Sequence, residues 1–197
     1  MQEDYERWSR RDLSGDEIVY LYLDAIYPKV RSAGKLIALP VLVAIGVKRS
    51  GEKLLLALAT GAAESGEVWQ MLLEDLAARG VGNPARIISD SNAGLKAALR
   101  RVWPQVRHQR CTVHKLRNLL AKAPKHARAA VRQDYHAIVY APSRSEAEQA
   151  RRRFVSKWEK LAPSVAASLE EAGDELLADG VECNDRRQQS SQAAENR

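Results

Sequence analysis

The sequence is poor in cysteine. Only Cys111 and Cys183 occur, in unrelated contexts, which argues against a disulfide framework and fits a reducing, cytoplasmic setting. It also lacks a membrane-spanning run: the longest apolar stretch, Leu36 to Val47, is too short for a bilayer and contains Pro40. The N-terminal MQEDYERWSRRDLSGDE is polar and has no signal-peptide hydrophobic region. Internal repeats are absent. The most informative absence is acid. From Ser91 to Gln133 there is no Asp or Glu, yet 11 Lys and Arg and three of the four histidines fall there. A one-sign block predicts a positive surface that holds phosphates by counterion release. Its candidate nucleic-acid contacts are Arg100, Arg101, Arg107, Arg110, Lys115 and Arg117. The alternative for this block is a pair of solvated helices.

What is present is an ordinary globular composition, 45% apolar and 28% charged over 197 residues with a net charge of +6. That suffices for one domain with a sizeable core and a helical appendage. Residues 1–17 read as a lead-in with Trp8 as an anchor. Ile18 to Asp24 is β-branched and aromatic and predicts a strand. Leu39 to Val47 and Glu52 to Thr60 predict two more, joined through Lys48-Arg49-Ser50-Gly51. Glu67 to Arg79 predicts a helix with Val68, Met71, Leu72 and Leu76 on one face. A strand over 86–89, a helix over 92–102, a strand over 105–109 and a helix over 112–123 follow. From Lys125 the pattern is all-helical. Three meandering strands followed by alternating helices and strands make an α/β fold, a mixed sheet with flanking helices in the order of a ribonuclease H-like domain. The expected organisation is a lead-in (1–17), the core (18–124), a helical insertion (125–178) and a polar, disordered tail (179–197).

Asp24 and Asp90 end the first and fourth strands, which are neighbours in that topology. Ligand sites of α/β sheets lie outside the carboxyl ends of strands, and two hard oxygen donors suit Mg2+ or Mn2+. The alternative is that Asp24 caps a turn and Asp90 N-caps the next helix, since Ser-Asp-Ser-Asn is rich in capping residues. Cys111-Thr-Val-His114 supplies half of a zinc site, but no second pair of ligands stands at a suitable spacing. On a helix the two share a face. They either orient a catalytic loop toward a scissile phosphate or form a buried pair.

Together the stretches YLYLDAIYPKVR, AAESGEVWQMLLEDLAARGV, RIISDSNAGLKAALRRVWPQVRHQRCTVHKLRNLLAK and FVSKWEKLAPSVAASLEE resemble the catalytic region of bacterial insertion-sequence transposases of the Mutator superfamily, over residues 20–178. The resemblance implies a ribonuclease H-like core with an Asp-Asp-Glu triad binding Mg2+ or Mn2+, which cuts DNA at terminal inverted repeats and joins the ends to target DNA. It makes Asp24 and Asp90 the first two metal ligands and Cys111 and His114 the superfamily's Cys-x-x-His motif. Double-stranded DNA is the implied partner, with a homo-oligomer or full-length transposase as protein partner, no membrane, and a nucleoid-associated cytoplasmic location. The third ligand in the family is a Glu in an Asn-Pro-x-Glu-Arg-like segment, which the tail ADGVECNDRRQQSSQAAENR lacks. Glu182 and Glu195 stand in the wrong context. The expectation is therefore a truncated, inactive transposase fragment or, alternatively, a non-catalytic DNA-binding or regulatory one.

Overall fold

The computed structural model describes residues 2–32, 34–61, 64–90 and 92–177. The tail expected to be disordered, with Cys183, Glu182 and Glu195, lies outside them. The chain divides into two compact units, Met1–His108 and Gln109–Arg197. Among the described residues no helix is long and apolar enough to cross a membrane.

In the first unit, helix α1 (Gln2–Ser9) leads into strand β1 (Ile18–Ile26). A short hairpin of β2 (Lys29–Ser32) and β3 (Lys35–Ala38) follows, then β4 (Val41–Lys48) and β5 (Lys53–Thr60). Helix α2 (Gly66–Ala78), strand β6 (Arg86–Ser89), helix α3 (Ala93–Val102) and strand β7 (Arg107–Arg110) complete the order. The main sheet runs β5-β4-β1-β6-β7, and β2 and β3 form a separate two-stranded sheet. β1 is antiparallel to β4, and β4 to β5, whereas β1 and β6 are parallel. This is the ribonuclease H-like mixed order that the strand pattern predicts.

Burial explains the pairing. Leu21 and Leu23 of β1, with Leu42 and Ala44 of β4, alternate into the core as a half-buried sheet requires. β6 is buried at every position, as expected of a parallel strand inside the sheet. Helix α2 buries Trp69, Leu72, Leu73 and Leu76, an i, i+3, i+4, i+7 stripe. Met71, expected on that stripe, is 68% exposed; at a helical step of about 100° it falls outside the arc that the four buried residues define. Helix α3 buries Leu95, Ala98 and Leu99 as expected. The lead-in is anchored by Leu13, which is fully buried, and by Tyr5 and Arg11, which donate to the Leu58 and Leu55 carbonyls. Trp8 is half-buried with the Arg11 guanidinium 4.8 Å from its ring centroid. The turn after α2 needs glycine: Gly80 has φ of 100°, and a Cβ there would stand 2.7 Å from the Ser14 backbone nitrogen.

The second unit is helical: α4 (Thr112–Lys122), α5 (Arg128–Val139), α6 (Arg144–Leu161) and α7 (Pro163–Glu170). Its core gathers Leu119, Val131, Tyr135, Phe154, Trp158 and Leu169. Ser143 caps α6 by accepting from the Glu146 amide, and Pro163 opens α7 at its first turn, where its missing N–H costs nothing. Asp134 joins α5 to α6 by accepting from Trp158 Nε1 at 2.9 Å and Lys157 Nζ at 2.7 Å.

Candidate active site and basic surface

Asp24 lies two residues before the end of β1, opposite Val43 of β4. On its other side β1 pairs in parallel with β6, Tyr20 with Arg86, Leu21 with Ile87 and Tyr22 with Ile88. The two strands run in the same direction, with Asp24 near the carboxyl end of β1 and Asp90 just past that of β6. Parallel strands stand about 4.8 Å apart, so both carboxylates belong to one end of the sheet.

Each carboxylate accepts from a nearby backbone amide. Asp24 is half-buried, and its Oδ1 accepts from the next amide, Ala25 N, at 2.9 Å. Asp90 is exposed and accepts from Asn92 N at 3.1 Å. The cap of α3 is Asn92, whose Oδ1 accepts from the Gly94 and Leu95 amides at 2.8 and 3.3 Å. Asp90 as N-cap, the alternative open from sequence, is therefore set aside: the capping oxygen comes from two residues later.

Two residues that the sequence did not single out frame this end of the sheet. The Tyr27 hydroxyl donates to Glu64 Oε2, and Trp69 Nε1 donates to Glu64 Oε1 at 3.1 Å. The hydrogen bond to Glu64, then burial, then the negative charges of Glu64, Asp90 and Asp24 push the Tyr27 hydroxyl up to about 12. Tyr27 thus senses both aspartates. The segment carrying Glu64 is held close to α3: a Cβ on Gly94 would stand 2.9 Å from Gly66 N, so position 94 needs glycine. An aromatic residue three positions beyond Asp24 was the available sequence signal for Tyr27. Glu64 had none, because its partners are 37 residues upstream and 5 downstream. Ser89, buried just before Asp90, lies 2.8 Å from His108 Nε2 on β7 through its Oγ.

In the second unit Cys111 is the extended residue that precedes α4 and His114 lies in its first turn, both half-buried. Tyr135 fixes this turn by donating to the Thr112 carbonyl at 2.9 Å. Burial, and next the Cys111 charge, push its hydroxyl up.

The basic residues divide. Arg100, Arg101, Arg107 and Arg117 are exposed, and Arg101 also donates to Gln70 Oε1 at 2.6 Å. Arg110 and Lys115 are 8% and 1% exposed and both turn onto Glu171. Arg110 Nη1 meets Glu171 Oε1 at 2.7 Å, Lys115 Nζ meets Oε2 at 2.9 Å, and Lys115 also reaches Ser168 Oγ at 3.4 Å. Those two cations hold the Glu171 carboxyl down at about 2, Arg110 contributing most. Burial lowers Lys115 more than Glu171 raises it. Sequence reasoning placed Arg110 and Lys115 among the phosphate contacts. In the structure both are buried and paired with Glu171, whose own side chain is 61% exposed.

Residues 1–195 match the family described as "Transposase, Mutator family". This chain belongs to the Mutator family of transposases. It is 38% identical over 178 residues to the transposase for insertion sequence element IS406 of Burkholderia multivorans, covering 90% of this chain and 45% of that protein. It is 33% identical over 178 residues to the transposase for insertion sequence element IS1081 of Mycobacterium tuberculosis, covering 90% of this chain and 43% of that one. The Mutator-family chain thus spans about half the length of the curated relatives it matches. Among solved structures, it is similar at 14% identity and a TM-score of 0.34 to a chain of the simian T-cell lymphotropic virus intasome in complex with a PP2A regulatory subunit, over 81% of this chain and 49% of that one.

Whether the family's divalent metal suits this chain rests on the donor set. Asp24 and Asp90 are two hard oxygen donors without sulfur or imidazole between them, and Mg2+ takes one or two carboxylates plus waters and substrate phosphates. The pair fits that chemistry. Among the described residues no group of three or more His, Cys, Asp or Glu is arranged to hold a metal ion.

Proposed function

We propose that this chain acts on duplex DNA as the carboxylate-bearing core of an insertion-sequence transposase, cutting at terminal inverted repeats and joining the ends to target DNA. The observation that supports this most is the parallel pairing of β1 and β6, whose carboxyl ends carry Asp24 and Asp90. Asp24 and Asp90 would hold Mg2+ or Mn2+, which supplies activation of the attacking hydroxyl and stabilisation of the leaving oxygen in an in-line phosphoryl transfer. The exposed Arg100, Arg101, Arg107 and Arg117 bind backbone phosphates. Tyr27, with its hydroxyl up at about 12, keeps its proton at neutral pH and so donates to Glu64 rather than acting as a base. Cys111 and His114 take the place of the family's Cys-x-x-His motif at the start of α4.

The test is nicking of a plasmid carrying inverted repeats, in Mn2+. Losing a metal-holding carboxylate forfeits several kcal/mol of transition-state stabilisation, so Asp24→Asn or Asp90→Asn should each slow nicking more than about 100-fold. DNA affinity should be unchanged. Nicking that survives both substitutions rejects the two-aspartate site. A second reading, DNA binding without cleavage, draws on the same four exposed arginines; it is favoured if the wild-type chain binds duplex DNA and never nicks it.

A further inference from the structure

The β2–β3 hairpin is used neither by the sheet nor by the core. Its strands pair only with each other, Lys29 with Ala38, Val30 with Ile37, Arg31 with Leu36 and Ser32 with Lys35. β3 is exposed along its whole length, with Leu36 61% and Ile37 44% exposed. A two-stranded hairpin standing alone in water is marginally stable at best, so an exposed one is expected to have an occupant. It begins three residues after β1, with its base closed by Leu39 N donating to the Pro28 carbonyl at 3.0 Å. Lys29 is therefore five residues from Asp24.

Charge says what that occupant is. From Ala25 to Gly51 the chain contains no Asp or Glu. Lys29, Arg31 and Lys35 are exposed, and none of them pairs with a carboxylate among the described residues. On the next hairpin loop the cations are matched instead: half-buried Lys48 to Asp16 and Glu52, and Arg49 to Glu17. Opposed residues of an antiparallel pair share a face. Lys29 and Arg31 therefore lie on one face of the ribbon and Lys35 on the other. A two-stranded ribbon fits the major groove, about 12 Å wide with a phosphate backbone on each side. Cations on both faces suit that position. A second copy of this surface would bring like charges together across a two-fold interface.

We propose that the β2–β3 hairpin is a DNA-binding ribbon that enters a groove beside the Asp24–Asp90 site, with Lys29, Arg31 and Lys35 on the flanking phosphates. This rests on the DNA-directed function proposed above and adds a contact site outside the arginine-rich block. The test measures affinity of the full chain for a fluorescently labelled duplex across a salt series. Each phosphate contact contributes about 0.9 to the slope of log K against log salt. The K29Q/R31Q/K35Q variant should therefore lower the slope by about 2 to 3, while K29R/R31K/K35R keeps it. An unchanged slope in the glutamine variant overturns the proposal. So does a L36S/I37S variant that alters sedimentation while the glutamine variant leaves DNA binding intact, since the ribbon would then be a self-association surface. A wild-type chain that binds no duplex overturns the DNA-directed function itself. Binding that is equal in wild type and glutamine variant overturns the ribbon alone.

Discussion

Two basic stretches of this chain look alike in sequence and differ in the folded state. Both lack acid locally, the hairpin between Ala25 and Gly51 and the block from Ser91 to Gln133. In the block, Arg110 and Lys115 find their acid in Glu171, 61 and 56 residues away. They bracket Cys111 and His114 in sequence, so one carboxylate ties both ends of that motif. The hairpin cations have no such partner among the described residues. Local charge patterning thus locates cations but not the distant acid that decides whether they are structural or free to bind.

The largest effect that sharpens this contrast is expected at Lys115. Truncation to Ala removes a fully buried stem and its ion pair and should cost about 2 to 4 kcal/mol in urea unfolding. Lys115→Met keeps the apolar stem, and replacing buried charge by apolar volume is often near neutral, so it should cost less than about 1.5 kcal/mol. Equal losses would mean that the charge, not the stem, carries the stability.

Glu171→Gln comes next, at about 1 to 2 kcal/mol, reduced because Glu171 is itself largely exposed. Its pH dependence has a definite sign. The folded carboxyl sits at about 2, below its ordinary 4.5. Its stabilisation is therefore complete above the ordinary value and fades as pH falls from 4.5 toward 2. Unfolding of wild type and Glu171→Gln over that range should converge toward the acid end; a constant gap would break the assignment. The smallest effect belongs to the hairpin. K29Q/R31Q/K35Q should change stability by less than about 0.5 kcal/mol, as for exposed side chains without partners. A larger loss would make these cations structural and erase the contrast.

Much of the sheet was legible from sequence. Ile18 to Asp24, the strand ending at Ser89 and the helices over Leu95 and Leu119 carry clear burial periodicity, and the order of the elements implies the mixed topology. The hairpin was not legible. β3 is exposed throughout, so no alternation marks it, and Leu36 to Ala38 run into the apolar residues of β4 with only Leu39 and Pro40 between. At the proposed site, Asp24 and Asp90 were legible as carboxylates at the ends of strands that pair in parallel. Their surroundings were not, since the Tyr27–Glu64–Trp69 link, the Ser89–His108 pair and the Arg110–Glu171–Lys115 bridge all depend on contacts across intervening elements.

The central claim is that Asp24 and Asp90 form one divalent-cation site. Titration of Mn2+ into the protein, following free Mn2+ by electron paramagnetic resonance, tests it without reference to activity. The account predicts saturable binding by the wild type that either Asp24→Asn or Asp90→Asn weakens at least about tenfold, with folding intact, since one carboxylate alone holds such an ion poorly. Binding unchanged in both variants, or lost in only one of them, would contradict a shared site.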